Sequence, residues 1–185
     1  MNFRQDEEHQ DILEMVHEFA VNEVKPKAAE IDKTEEFPSD NVAMMAEMGL
    51  LGIPFPEEYG GAGMDTLAYI QTVEELSKYC ATTGVIVSAH TSLCCTPIYQ
   101  FGSEEQKQKY LPKLCSGEWL GAFALTEANA GTDASGQQTV AVDKGDHWVL
   151  NGSKIFITNA GAADVFFVLA MTDKSCLLYT SPSPR

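Results

Sequence analysis

Apolar residues recur at helical spacing along the first two-thirds of the chain. Ile12, Met15, Val16, Phe19, Ala20 and Val24 mark one buried stripe of a helix over residues 6 to 31, which Pro26 should kink or interrupt. After "FPSD", where Ser39 or Asp40 can serve as N-cap, "NVAMMAEMGLL" reads as a short helix stopped near Gly49. "GIPFPEEYGGAGMD" concentrates prolines and glycines and must be a loop. Helical patterns resume over residues 65 to 80 and 82 to 99, the second apolar on most sides and so central. Ser103 and Gln106 then form a capping box that opens a further helix.

From Glu118 the period changes. "WLGAFALT", "QQTVAVDKGDHWVLNGSKIFIT" and "ADVFFVLAM" are short runs rich in Val, Ile, Phe and Trp, with Lys-Gly and Asn-Gly turn signals between them. Helices followed by strands, without βαβ alternation, predict an α+β chain: an N-terminal all-helical bundle domain over residues 1–117 and an incomplete antiparallel β domain over residues 118–174. Four or five strands are too few to close a barrel. Residues 175–185, "SCLLYTSPSPR", differ from everything upstream and are expected to be a foreign or disordered tail.

Composition narrows the partners. The net charge of −15 makes the molecule repel nucleic acid and anionic membrane surfaces. Five scattered cysteines without a CxxC pair fit neither a disulfide framework nor a zinc site, and His9, His17, His90 and His147 show no ligand spacing, so no metal is expected. The start "MNFRQDEEHQ" lacks the features of a signal or transit peptide, and no run approaches the roughly 20 apolar residues of a membrane span. A cytoplasmic protein is the expectation.

Three patterns invite chemistry. Gly60, Gly61 and Gly63 in "EYGGAG" imitate a dinucleotide fingerprint, but helical neighbours on both sides rule out the required βαβ frame. Ser88, Ser92 and Cys94 flank His90 in "VIVSAHTSLCC", where residues two apart face different ways, so close helix packing outweighs a nucleophile and base. "FALTEANAGTDASG", Phe123 to Gly136, follows a strand-like run with the Thr126 hydroxyl and a glycine-permitted turn. It reads either as an ordinary β-turn or as a cradle of donors for a flavin edge and a pyrophosphate, and composition alone leaves both open.

"ALTEANAGTDASG" resembles the signature of the acyl-CoA dehydrogenase family. "GLLGIPFPEEYGGAG", "FGSEEQKQKYLP" and "NGSKIFITNA" resemble that family too, in its order and spacing. The resemblance runs from about residue 1 to 174 and is strongest to bacterial short-chain, butyryl-CoA-type members. Ala128 stands where many relatives have Pro, Thr132 where many have Ser, and Phe156 where Trp is frequent.

The resemblance implies an FAD enzyme that oxidises a short-chain acyl-CoA to the trans-2-enoyl-CoA and passes electrons to an electron-transferring flavoprotein. It implies that Phe123, Leu125, Thr126, Gly131 and Thr132 wrap the flavin, with the Leu125 backbone and Thr126 hydroxyl on its redox-active edge and the Gly131 and Thr132 amides on the pyrophosphate. Thr132 would also lie beside the thioester substrate, while Phe156, Ile157 and Thr158 would form the second flavin wall. The family's catalytic glutamate belongs to a C-terminal helical bundle absent from this sequence. No catalytic residue is therefore assigned, Glu127 is given a structural role in the turn, and Glu74 and Glu75 are read as solvated. An N-terminal fragment without turnover is expected, from a parent that is a homotetramer. A non-catalytic flavin- or acyl-thioester-binding module, or a fragment of an acyl-CoA oxidase, are the alternatives; acyl chain length is left open.

Overall fold

The computed structural model describes residues 6–173; the expected tail lies outside them. Helix α1 (Glu7–Phe19) starts at Asp6, whose carboxylate accepts the His9 N–H. Glu7 and Glu8 complement the positive end of the helix. Pro26 does not end the helical run. A π-helical turn, Ala20–Val24, precedes it, with the Lys25 N–H bonded to Ala20 O, and α2 (Lys25–Thr34) continues with the proline in its first turn. The same device recurs before Pro97: a π-helical segment, Ala89–Cys95, separates α5 (Ala81–Ser88) from α6 (Thr96–Phe101). Widening the turn just ahead of each proline relieves the clash of its ring with the preceding carbonyls and absorbs the missing donor.

Helix α3 (Ser39–Glu47) begins at Pro38, and neither Ser39 nor Asp40 caps it with a side chain, because both already lie inside the first turn. Gly49, at φ +73, ends this helical stretch as expected. The glycine-rich loop folds on itself and against α7 (Glu104–Cys115). Gly61 is required there, since a Cβ would sit 2.1 Å from the Phe55 carbonyl oxygen. No strand flanks this loop, so it holds no dinucleotide frame. The capping box at Ser103 and Gln106 is formed in full.

Val16, Met45 and Leu76, each without exposed surface, join α1, α3 and α4 (Thr66–Tyr79) into one core; Leu111 and Leu114 of α7 anchor a second with Phe55 and Cys94. Glu75 corrects the sequence reading, being only 4% exposed. Burial alone would raise its pKa, but the His17 ring at 2.7 Å and Lys78 Nζ at 2.6 Å outweigh this and hold it below the ordinary carboxylate value. Glu74 is exposed as expected.

The strand half is not one antiparallel meander. β2 (Val140–Asp143) and β3 (Trp148–Asn151) form an antiparallel hairpin, but β1 (Gly121–Ala124) pairs in parallel with β4 (Val165–Val168), with Phe123 and Phe167 stacked 5.9 Å apart. Residues between β1 and β4 form the crossover that parallel pairing demands. The expected strand through "NGSKIFIT" stops at Asn151: Gly152 lies against Thr139, and Phe156 turns into left-handed space at φ +57. Among the described residues, no helix is long and apolar enough to cross a membrane, and Cys80, Cys94, Cys95 and Cys115 are buried free thiols.

One contact joins the two helix starts. His9 Nδ1 lies 2.5 Å from the carboxylate of Asp6 and Nε2 3.0 Å from that of Asp65, the N-cap of α4. Asp6 first and Asp65 second raise the His9 pKa above its ordinary value. The folded state therefore gains from a charged His9 fully below about pH 6.5 and loses that gain as pH rises through the raised pKa. His9→Gln should lower the melting temperature at pH 6 and match the parent at pH 9.

Candidate active site

β1 leads directly into the site. Beyond Ala124 the chain makes a tight turn in which Glu127 and Ala130 exchange both backbone hydrogen bonds, 2.9 and 3.1 Å. Lys154 arrives from the segment after β3. Its ammonium donates to Leu125 O at 2.7 Å, Glu127 Oε1 at 2.8 Å and Gln137 Oε1 at 3.2 Å. The Ile155 N–H adds a bond to Thr126 O at 2.9 Å. Glu127 uses its other capacity on the N–H groups of Gln138 (2.6 Å) and Thr139 (2.9 Å). Led by Lys154, these donors hold the carboxyl down at about 2. Glu127 is thus a structural anion, spent on the turn.

With the carbonyls of Leu125 and Thr126 taken up behind, a cleft of about 320 Å³ opens in front. Phe123, Leu125 and Thr126 line one wall, Phe156, Ile157 and Thr158 the other, and Ala89 and Leu93 of the π-helical segment form the floor. These are six of the eight residues expected at the flavin, from two segments some thirty positions apart. Gly131 and Thr132 are not among the lining residues; they lie exposed beyond the turn, with Gly131 facing the Thr126 methyl. Among the described residues, the backbone N–H groups of Leu125, Thr126, Gly131, Thr132 and Thr158 have no intramolecular acceptor, and the three threonine hydroxyls have no partner. Three of these residues, Leu125, Thr126 and Thr158, line the cleft. The Phe156 ring is 88% exposed beside it.

No residue lining this cleft is titratable. A larger cavity, about 510 Å³, lies across Thr158 and carries Asp32, Glu35 and Glu36 on its rim. The smaller cleft is the better candidate because it gathers the free donors. His90 is fully buried, with burial lowering its pKa to about 4, and its ring bonds Leu114 O and the Gly121 N–H, so it is no base for Ser88, Ser92 or Cys94. Among the described residues, no group of three or more His, Cys, Asp or Glu side chains could hold a metal ion. Sequence reasoning missed Lys154, Asn159, Ala89 and Leu93. A lone lysine at the head of the apolar Ile155–Ile157 run was the available signal for the first; Ala89 and Leu93 look like ordinary core residues, and Asn159 carries no local signal of its partners.

Because Glu127 is held below its ordinary value, its contribution to stability is present above about pH 4.5 and is lost as pH falls towards 2. Glu127→Gln should cost about 2 kcal/mol at pH 7 in denaturant unfolding, with the difference from the parent shrinking between pH 4.5 and 2.

Known proteins share this fold. A family model described as acyl-CoA dehydrogenase, N-terminal domain, matches residues 6–118, and one described as acyl-CoA dehydrogenase, middle domain, matches residues 122–181. The short-chain specific acyl-CoA dehydrogenase of Clostridium acetobutylicum is 62% identical over 95% of this chain, which spans 46% of that relative's length. A chain from a structure of the electron transferring flavoprotein of Acidaminococcus fermentans is 55% identical, with a TM-score of 0.91, covering 95% of this chain and 46% of that one. An acyl-CoA dehydrogenase complexed with FAD from Bacillus anthracis is 41% identical, with a TM-score of 0.84 over 90% of this chain and 29% of that one. Sequence motifs, fold and both domain matches agree that the chain belongs to the acyl-CoA dehydrogenase family.

Proposed function

We propose that this chain binds FAD in the cleft between β1 and the 156–158 segment, as part of a short-chain acyl-CoA dehydrogenase that forms the trans-2-enoyl-CoA. The observation that carries the reading is the set of unpaired donors at Leu125, Thr126 and Thr158 on facing walls of one cleft. Such donors fit the rim of an isoalloxazine, whose edge gains negative charge on reduction. The relatives support it: one is named short-chain specific, and another was solved with FAD.

Bound FAD would supply the hydride acceptor, with an electron-transferring flavoprotein as the partner that would take the electrons. The protein's part is placement. Leu125 N–H and the Thr126 hydroxyl would hold one edge of the ring system, Phe156, Ile157 and Thr158 would cover one face, and the exposed amides of Gly131 and Thr132 would take the pyrophosphate. Thr132 would reach the thioester as well. Ala89 and Leu93 give the floor an apolar, water-excluding surface. Removal of the α proton needs a base, and since nothing titratable lines the cleft, on this reading the base comes from outside it. On this reading the complete protein is a cytoplasmic homotetramer, and the charge of −15 on this chain disfavours nucleic acid and membrane surfaces.

The lack of a titratable lining favours one further reading for the chain by itself, a flavin-binding module without turnover. The purified 185-residue chain should keep bound FAD through desalting and show no acyl-CoA-dependent dye reduction above free flavin. Thr126→Val with Thr158→Val should weaken FAD binding by about tenfold, from two lost hydrogen bonds. Failure of the parent chain to retain FAD would overturn the flavin assignment; turnover would overturn the external base.

A further inference from the structure

Behind the cleft, three chain segments meet at one glycine. The Gly121 N–H donates to His90 Nδ1 at 2.9 Å, and the Gly121 carbonyl accepts from Asn159 Nδ2 at 3.0 Å. His90 belongs to the π-helical segment that floors the cleft, Gly121 starts the strand that leads to its first wall, and Asn159 follows directly on its second. The same Asn159 amide also donates to Ile86 O on α5, at 3.3 Å. His90 Nε2–H in turn bonds Leu114 O at 3.1 Å, which fixes the tautomer that leaves Nδ1 free to accept. No side chain fits at position 121, since a Cβ would lie 2.7 Å from Cys94 Sγ.

Asn159 holds this place at a local cost. Its backbone is left-handed, φ +70, and its buried Oδ1 has no hydrogen-bond partner in the described structure. Phe156 is left-handed as well, so two strained residues bracket Ile157 and Thr158, the pair between them that lines the cleft. Strain and an unsatisfied polar atom persist where the surroundings enforce them, and they gather at binding sites.

We propose that Asn159 is a positioning residue for the flavin: by tying the end of the 156–158 wall to Gly121 and Ile86, it sets the gap into which the ring system fits. It touches no reacting atom and acts through Thr158 and β1. The proposal rests on the FAD reading given above.

The test uses the full chain and FAD itself, with binding read by flavin fluorescence quenching and the bound flavin's visible absorbance band. Asn159→Gly keeps the left-handed backbone and removes both donors; Asn159→Asp keeps the shape and sets oxygens against two carbonyls. Both should bind FAD at least about tenfold more weakly and shift the band. Val16→Ala, in the α1–α4 core away from the cleft, should lower the melting temperature with unchanged FAD affinity. Equal affinity of parent and both Asn159 variants would overturn the positioning role and leave the flavin reading intact. Equal loss in Val16→Ala would reduce Asn159 to general stability and overturn it too. A parent chain that binds no FAD would bring down the flavin reading, and this proposal with it.

Discussion

The strand half of this protein is organised around one buried ammonium. Lys154 is about 10% exposed, and its charge is tolerable there only because Glu127 and two carbonyl-type oxygens surround it. That arrangement, together with the Ile155 N–H bonded to Thr126 O, joins the turn after β1 to the segment after β3. Short four-residue strands could not fix those loops through ladder bonds alone. Lys154 occupies the Leu125 carbonyl, while Leu125 and Thr126 line the cleft with their N–H groups unpaired. Structure behind the site and chemistry in front of it are consequences of the same contact.

The helical half supplies rigidity and a floor. Its two cores are packed from buried side chains, and the π-helical segment Ala89–Cys95 puts Cys94 and Cys95 into the second. Ala89 and Leu93 face the cleft from this segment, while His90, one position on, points back to Leu114 and Gly121. One widened stretch of helix thus serves both the cleft and its support. Pro97 follows it, as Pro26 follows the other π-helical turn, which ties an apparent helix breaker to a specific local geometry.

Much of the helical half was legible in the sequence. Apolar spacing located α1 and α4, Gly49 marked a stop, and the Ser103–Gln106 box marked the start of α7, because caps and amphipathic stripes are local signals. Strand partnership was not legible. "ADVFFVLAM" reads equally well as a hairpin partner or a crossover partner, since its pairing depends on where forty intervening residues place it. Glu75 shows the same limit: a carboxylate on a helix looks solvated until His17 and Lys78 are brought against it.

The sequence by itself determined the family, the two-part architecture and the six residues that meet at the cleft, because motif residues are recognisable one segment at a time. Only the tertiary structure decided how those segments face one another. Lys154 and Asn159 make their bonds to residues tens of positions away, and neither carries a local pattern that names its partner. Close-packed surroundings choose one partner for each buried polar group, and that choice does not exist until the chain has folded.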